Sequence, residues 1–221
     1  MNWLMETLEW IADPTHQSGP GGLWALIGQH LAITGWASAA SVLIGVPLGY
    51  LVGHTGRGRM LVVGLSGAAR ALPAIGLLTL VALVAGIGLT APLVALAVLA
   101  TPSVIAGAYS GFDSIEPATL DAARAMGMSP SQVLTRVEIP LGLPQLLGGI
   151  RAAVLQVIAT ATLAAYVGAG GLGVYLFRGL KTQDYAQMLA SAVLIVVLAL
   201  LIDVLFEVLT RITVRAVRPR L

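Results

Sequence analysis

Five apolar stretches, each long enough to cross a lipid bilayer as a helix, decide what this chain can fold into. They lie near residues 31–53, 60–87, 90–111, 144–167 and 187–209. A hydrocarbon core of about 30 Å is spanned by roughly 20 apolar residues of helix. Backbone groups in lipid must be bonded within each segment, and these stretches lack the alternation of barrel strands. The sequence therefore predicts an all-α membrane protein with about five transmembrane helices.

Charged residues are too few for a sizeable water-soluble domain. They make up 10% of the chain and hydrophobic residues 57%, whereas soluble domains carry roughly 25% charged residues. We expect one transmembrane domain over residues 31–210, between an extracytoplasmic segment, 1–30, and a basic cytoplasmic tail, 211–221. Residues 1–12 are predicted to form a short helix in the outer membrane interface or, alternatively, a frayed terminus.

Basic residues indicate which loops face the cytoplasm, because arginine and lysine are enriched on that side of membrane proteins. They cluster after the first stretch, after the third stretch and at the end of the chain: Arg57, Arg59, Arg124, Arg136, Arg211, Arg215, Arg218 and Arg220. Five spans would place all three clusters on one face, and only Arg178 and Lys181 oppose the rule. The pattern predicts an N-terminus outside and a C-terminus in the cytoplasm.

Residues 114–140, between the third and fourth stretches, break the apolar pattern and are predicted to form a cytoplasmic helical hairpin. Residues 117–127 begin with proline and end with glycine, as a short helix does. Ser129 can cap a second helix, with proline at its first position and Gln132 completing a capping box. We expect this second helix to stop at Pro140, because proline cannot continue the hydrogen-bond ladder.

The first hairpin helix carries a shallow apolar face formed by Leu120, Ala123 and Met126. Its small residues would let another backbone approach closely, which is typical of a docking surface. Alternatively, the same face lies on the membrane or on the protein's own bundle. The residues alone do not separate the two interpretations.

Residues 121–140 resemble the EAA loop of the permease subunits of binding-protein-dependent ABC importers. That motif reads E-A-A, three residues, G, nine residues, then I-x-L-P. The matching residues here are Asp121, Ala122, Ala123, Gly127, Val137, Ile139 and Pro140. Asp121 replaces the usual glutamate, which keeps the charge and shortens the reach.

The resemblance implies a type I ABC importer permease fold whose hairpin sits in a groove of a cytoplasmic ATPase and transmits its closure. The residues expected to couple to the ATPase are Asp121, Ala122, Ala123, Gly127, Met128, Ser129 and Pro140. It also implies two ATPase subunits, and a bacterial inner membrane as the location.

ATP hydrolysis is expected on a separate subunit. A phosphate-binding loop needs the pattern G-x-x-x-x-G-K-[ST], but the only lysine, Lys181, lies in "FRGLKTQ" without that spacing. We therefore expect no cofactor on this chain, with ATP and Mg²⁺ bound by the partner. The histidines lie apart without metal-ligand spacing, so neither a metal site nor a catalytic site is expected. No nucleic-acid partner is expected either.

Arg70 and Pro73 are candidates for the permeation path. Arg70 lies about ten residues into the second stretch, where a charge is costly and usually faces a cavity or a partner. It is predicted to line the path or to pair with an acid such as Asp203; alternatively, it reaches the interface. Pro73 removes a backbone hydrogen bond and can kink or break the span.

Two further features follow the fourth stretch. Gly168, Gly170 and Gly171 permit backbone motion, so they are predicted to form either a flexible outer gate or a plain turn. Asp203 and Glu207 lie one helical turn apart, and Arg211 follows one turn later. We favour a structural ladder of ion pairs there over a proton relay.

The wider pattern resembles the permease subunits for osmoprotectants such as glycine betaine, carnitine and choline. The likeness covers about residues 30–210 and includes "ARALPAIGLLTL", "VEIPLGLPQLLGGIRAA" and "GAGGLG". It implies a separate extracytoplasmic binding protein and a second permease subunit, identical or homologous. Quaternary ammonium groups are held by aromatic cages, but only 5% of this chain is aromatic, so tight selection by the permease itself is not expected.

Two alternatives remain open at this point. Permeases of methionine importers share the five-span plan and a glycine-rich stretch after span four. A protein of another class, an ion-coupled secondary transporter, would use Arg70, Asp203 and Glu207 as coupling charges.

Overall fold

Regular structure in this computed structural model, which describes residues 2–58, 60, 64, 67–69 and 71–217, is helical. The described residues contain no strands, as expected for apolar stretches that bond their own backbone groups. The helices are α1 (Trp3–Ala12), α2 (Leu23–Thr55), α3 (Ala74–Ala85), α4 (Thr90–Asp113), α5 (Pro117–Ala125), α6 (Pro130–Val133), α7 (Ile139–Thr160), α8 (Gly173–Thr182) and α9 (Tyr185–Val217).

Within the described residues, four helical segments are long and apolar enough to cross a membrane: Leu23–Thr55, Thr90–Asp113, Pro130–Val167 and Tyr185–Arg215. They correspond to the first, third, fourth and fifth predicted spans. The predicted second span, 60–87, includes residues outside the description; within it α3 is a shorter apolar helix of 12 residues. The prediction of an all-α membrane protein is thus confirmed, and the described residues show four of the five predicted spans at membrane-crossing length.

The prediction that the second hairpin helix stops at Pro140 is wrong. A turn of π-helix, Leu134–Glu138, joins α6 to α7, so one continuous helix runs from the hairpin into the fourth span. In this turn the Ile139 N–H donates to the Leu134 carbonyl five residues earlier. The change of register directly precedes Pro140, which has no N–H to donate, and it lets the helix continue.

The chain divides into two compact units. The first unit comprises Met1–Ala39, Leu72–Leu99 and Val154–Ile202. One of its core clusters contains Leu23, Leu26, Leu172, Tyr175 and Ile195, with Trp10 and Ile11 packed against it. Because the first turn of α2 contributes to this core, the helix begins at Leu23, earlier than hydropathy alone indicates.

The second unit comprises Ala40–Ala71, Ala100–Ala153 and Asp203–Leu221, and it contains the whole hairpin. Here α4 and α7 approach backbone to backbone through glycine pairs. A Cβ added to Gly107 would lie 2.6 Å from the Cα of Gly149, and one added to Gly142 would lie 3.1 Å from the Cα of Gly111. Small residues of this kind allow close helix packing within a membrane.

Candidate functional site

The predicted turn of the hairpin is present and is built by Gly127. This residue has a φ of +81°, which favours glycine. Its N–H donates to the Arg124 carbonyl at 2.9 Å, and the Met128 N–H donates to the Ala123 carbonyl at 3.3 Å. These two bonds form a Schellman motif, which ends α5 as the sequence predicted.

The predicted capping box at the start of α6 is also confirmed. The Ser129 hydroxyl accepts a hydrogen bond from the Gln132 backbone N–H at 3.3 Å, and the Gln132 side chain accepts one from the Ser129 N–H at 2.8 Å. Pro130 occupies the first turn of the helix. The hairpin's shape is therefore set by its local sequence.

The apolar face predicted on α5 is divided by the structure. Ala123 is only 3% exposed and packs inside the second unit, whereas Met126 is 77% exposed. Asp121 and Arg124 are exposed and pair with each other at 3.3 Å. Thus Ala123 holds α5 to its own unit, and the exposed part of the helix is free to meet a partner.

The residues of the EAA-like motif follow the same division. Asp121, Ala122, Gly127 and Ser129 are exposed; Met128 and Pro140 are half-buried. Their role as contacts for an ATPase stays a prediction.

A pair of ionisable side chains that the sequence did not indicate lies at the exit of the hairpin. Glu138 is 5% exposed, and His54 Nδ1 lies 2.5 Å from its Oε2. In the sequence His54 was considered only as a metal ligand, and Glu138 occupies the variable position of the motif. The signal in the sequence that could have revealed this pair is the charge of Glu138 beside the apolar residues Val133 and Val137.

An ion-pair network joins α7 to α9. Arg151 donates from Nε and Nη2 to the two carboxylate oxygens of Asp203, at 2.7 and 2.8 Å, and from Nη1 to Glu207 at 2.8 Å. Arg211 donates to the other oxygen of Glu207 at 2.8 Å. The predicted pair of Glu207 with Arg211 is present, but Asp203 pairs with Arg151 rather than with its own helix.

Sequence reasoning missed Arg151, although an arginine inside the apolar stretch 144–167 requires an acidic partner by the rule that was applied to Arg70. Arg70 itself lies outside the described residues, as do Arg59, Arg218 and Arg220. The pairing of Arg70 with Asp203 therefore stays a prediction.

Pro73 directly precedes α3, whose first residue, Ala74, lines an apolar crevice. The crevice is lined by Ala74, Leu78, Pro92, Ala95, Leu96, Leu99, Thr160, Leu163 and Ala164. The hydroxyl of Thr160 donates to Gln156 in its own helix, so this crevice presents an apolar wall.

The glycine-rich loop after α7 is held by the first unit's part of α2. Gly168, Gly170 and Gly171 have φ values of +75°, +84° and +81°. The Gly171 N–H donates to Gln29 Oε1 at 3.1 Å, and a Cβ on Gly170 would collide with the same oxygen. The loop therefore requires glycine for its conformation and for close contact; its role as a gate stays a prediction.

Residues 45–219, which include the hairpin, match the family described as binding-protein-dependent transport system inner membrane component. The chain belongs to this family. The resemblance drawn from residues 121–140 is thereby confirmed, and the chain is a transport permease subunit and an inner-membrane component.

Relatives of this permease cover nearly its whole length. The glycine betaine/carnitine/choline transport system permease protein OpuCB of Bacillus subtilis is 30% identical over 204 residues, 92% of both chains. The osmoprotectant import permease protein OsmW of Salmonella typhimurium is 34% identical over 207 residues, 90% of this chain and 93% of the relative.

A solved structure confirms the fold of the permease. The inward-facing MetNI methionine ABC transporter has a chain that matches with a TM-score of 0.77 and 26% identity. The match covers 86% of this permease and 95% of that chain. The permease therefore has the type I ABC importer fold that the hairpin motif predicted.

Proposed function

We propose that this permease carries a small osmoprotectant, of the glycine betaine, carnitine and choline class, across the inner membrane. The observation that carries this proposal is the pair of relatives at 30 and 34% identity over at least 90% of the chain, both named for such solutes. The methionine transporter matches at 26% identity over 86%, which makes methionine the weaker candidate.

The scarcity of aromatic side chains supports a path that binds its solute weakly. Quaternary ammonium groups are bound tightly by aromatic faces, but only 5% of this chain is aromatic. Selection is then the task of a separate binding protein, which delivers the solute to the outer face. Arg70, Pro73 and the loop of Gly168, Gly170 and Gly171 are our candidates for the path and its outer gate.

The hairpin supports ATP-driven coupling. Two cytoplasmic ATPase subunits, which bind ATP and Mg²⁺, dock one on this permease and one on a second permease subunit. On this chain they contact the exposed residues Asp121, Ala122, Gly127 and Ser129. Because a continuous helix runs from the hairpin into the fourth span, closure of the ATPases moves the hairpin together with the beginning of that span. The N-terminus lies outside and the C-terminus in the cytoplasm.

Uptake by the reconstituted importer tests this proposal. Proteoliposomes containing the permeases and ATPases are prepared with ATP enclosed and with the binding protein and labelled solute outside. They should accumulate glycine betaine, carnitine or choline, and vesicles without enclosed ATP should not. Gly127→Arg should abolish uptake, because arginine is strained at a φ of +81° and places bulk on the docking surface. Gly127→Asn is the matched control, since asparagine tolerates this conformation better.

Two results would contradict the proposal. Uptake of methionine without uptake of any osmoprotectant would reassign the solute. Accumulation driven by an ion gradient, with the permease alone in the vesicles, would replace the ABC mechanism by secondary transport.

A further inference from the structure

Both ends of the hairpin contact the last turns of α2. At the entry, the Phe112 ring lies 5.1 Å from the Tyr50 ring in an edge-on arrangement. The same ring lies against Gly53, where an added Cβ would be 2.8 Å from two ring atoms. Glycine at this position is therefore what lets Phe112, the penultimate residue of α4, approach the α2 backbone.

At the exit, the buried carboxylate of Glu138 relies on His54. Among the described residues His54 is its hydrogen-bonding partner, with Nδ1 at 2.5 Å from Oε2. Nδ1 donates in the Nδ1–H neutral tautomer and in the protonated ring alike. A buried carboxylate without a donor is costly, so this contact fixes where Glu138 and the π-turn carrying it can lie.

The two contacts use one face of α2. Tyr50, Gly53 and His54 are spaced i, i+3 and i+4, which places them side by side on a helix. Upstream, Gly45 and Gly49 continue the face and pack against Val104 and Ala108 of α4. The end of α2 therefore contacts the hairpin at both of its ends, through an aromatic contact at the entry and a hydrogen-bonded pair at the exit.

We propose that His54 is a positioning residue of the import cycle, which acts through Glu138 to make α2 follow the hairpin when the ATPases close. This inference rests on the proposed function, because it assumes that the exposed hairpin receives the ATPases. The π-turn explains how one movement reaches two helices, because it connects the hairpin to the fourth span. Its side chain Glu138 reaches a different helix, so one displacement moves both the fourth span and α2.

The test measures solute imported per ATP hydrolysed by the complete importer in proteoliposomes. His54→Leu keeps bulk and removes the donor, so the ratio should fall about tenfold, the effect of losing a hydrogen bond to a charged group. ATP hydrolysis and copurification of the ATPases should persist. His54→Asn, which offers an amide donor near the Nδ1 position, should recover most of the ratio. Thr55→Val is the matched control, because the Thr55 hydroxyl bonds to nearby backbone atoms of its own segment, the Leu51 carbonyl and the Arg57 N–H, and not to the hairpin.

A second readout reports the position of the hairpin directly. The chain contains no cysteine, so spin labels at Arg57→Cys and Met126→Cys report the distance between the end of α2 and the hairpin tip. His54→Leu should broaden this distance distribution, while Thr55→Val and His54→Asn leave it narrow.

The inference is overturned if His54→Leu imports with the wild-type ratio, if His54→Asn is as defective as His54→Leu, or if the label distances do not change. Should the wild-type importer fail to use ATP for uptake, the proposed function fails, and the label distances still decide whether His54 holds the hairpin.

Discussion

Each of the two units has a different kind of internal contact. In the first unit, side chains reach across to backbone atoms: Gln29 accepts from the Gly171 N–H, Tyr175 donates to the Gly21 carbonyl and Ser191 donates to the Leu172 carbonyl. In the second unit, ionisable side chains meet each other, and every ion pair between described side chains lies there.

This difference decides how each unit responds to substitution. A contact with a backbone atom depends on one side chain and on the conformation of the partner segment, as in the loop of Gly170 and Gly171, but not on a second side chain. A contact between two charged side chains, or between two glycines, depends on both partners. We therefore expect the second unit to tolerate fewer single substitutions, in keeping with its role as the part that contains the hairpin.

The largest effect is expected at the glycine contact of the second unit. Gly107→Val places a side chain where Gly149 Cα lies 2.6 Å from the Cβ position, and such overpacking should lower the free energy of unfolding by about 3 kcal/mol. In a thermal melt of the purified chain in detergent, this corresponds to a midpoint lower by roughly 10 °C. Gly148→Ala is the control, because Gly148 lies on the facing helix α7 next to Gly149 and an added Cβ there has no neighbour within 4 Å; equal midpoints would refute the comparison.

A smaller loss is expected from breaking the ion-pair network. Arg151→Gln leaves Asp203 without its charged partner inside a span, so the same melt should show a midpoint below wild type but above Gly107→Val. The Arg151→Gln, Asp203→Asn double variant should regain part of the loss, because no unpaired charge remains at that position. Arg211→Gln, at a side chain 71% exposed, should change the midpoint less than Arg151→Gln. A double variant worse than both single variants would show that the two residues do not act as a pair.

A smaller loss of stability is expected in the first unit, from a substitution at Gly170. Gly170→Ala imposes a left-handed conformation on alanine and brings its Cβ against Gln29 Oε1, at a cost of about 1–2 kcal/mol in free energy of unfolding. Adding Gln29→Ala should remove the collision but keep the conformational strain, so the two substitutions should be non-additive. Gly35→Ala, in a helix interior with no neighbour within 4 Å, should instead be neutral or slightly stabilising. Strict additivity would exclude the Gln29 contact.

The smallest effect is expected from Tyr175→Phe, about 1 kcal/mol in free energy of unfolding, because one buried hydrogen-bond donor is lost. Burial raises the pKa of Tyr175 above its ordinary value of 10.0. The folded state therefore favours the protonated phenol, and its contribution to stability is complete below about pH 10 and lost as pH rises further. Melts at rising pH should show a decline in wild type that Tyr175→Phe lacks. Tyr185→Phe, at an exposed side chain, is the control, and a decline in Tyr175→Phe equal to wild type would contradict the assignment.

The hairpin shows how far local sequence predicts structure. Pro117, Gly127, Ser129 and Gln132 each act within a few residues of chain, so the Schellman turn and the capping box could be predicted. The prediction at Pro140 was wrong because it also used only local sequence. A residue without an N–H donor normally ends a helix, but here the π-turn at Leu134–Glu138 lets the helix continue. Nothing in the neighbouring residues indicates that turn.

The contacts that cross between helices could not be predicted in the same way. Ala123 was assigned to a docking face but lies inside, and His54 pairs with a residue 84 positions away. Arg151 illustrates the intermediate case, because its need for an acidic partner followed from its place in an apolar stretch, whereas the choice of Asp203 and Glu207 depended on how α7 and α9 pack.

The sequence by itself determined that this protein is helical, resides in a membrane and presents a capped hairpin of the EAA type, because hydrophobic length and helix capping are properties of consecutive residues. Only the tertiary structure decided which side chains of that hairpin are buried and which charges meet. Those outcomes depend on the approach of helices distant in sequence, such as α4 and α7 at Gly107 and Gly149, and α7 and α9 at Arg151 and Asp203.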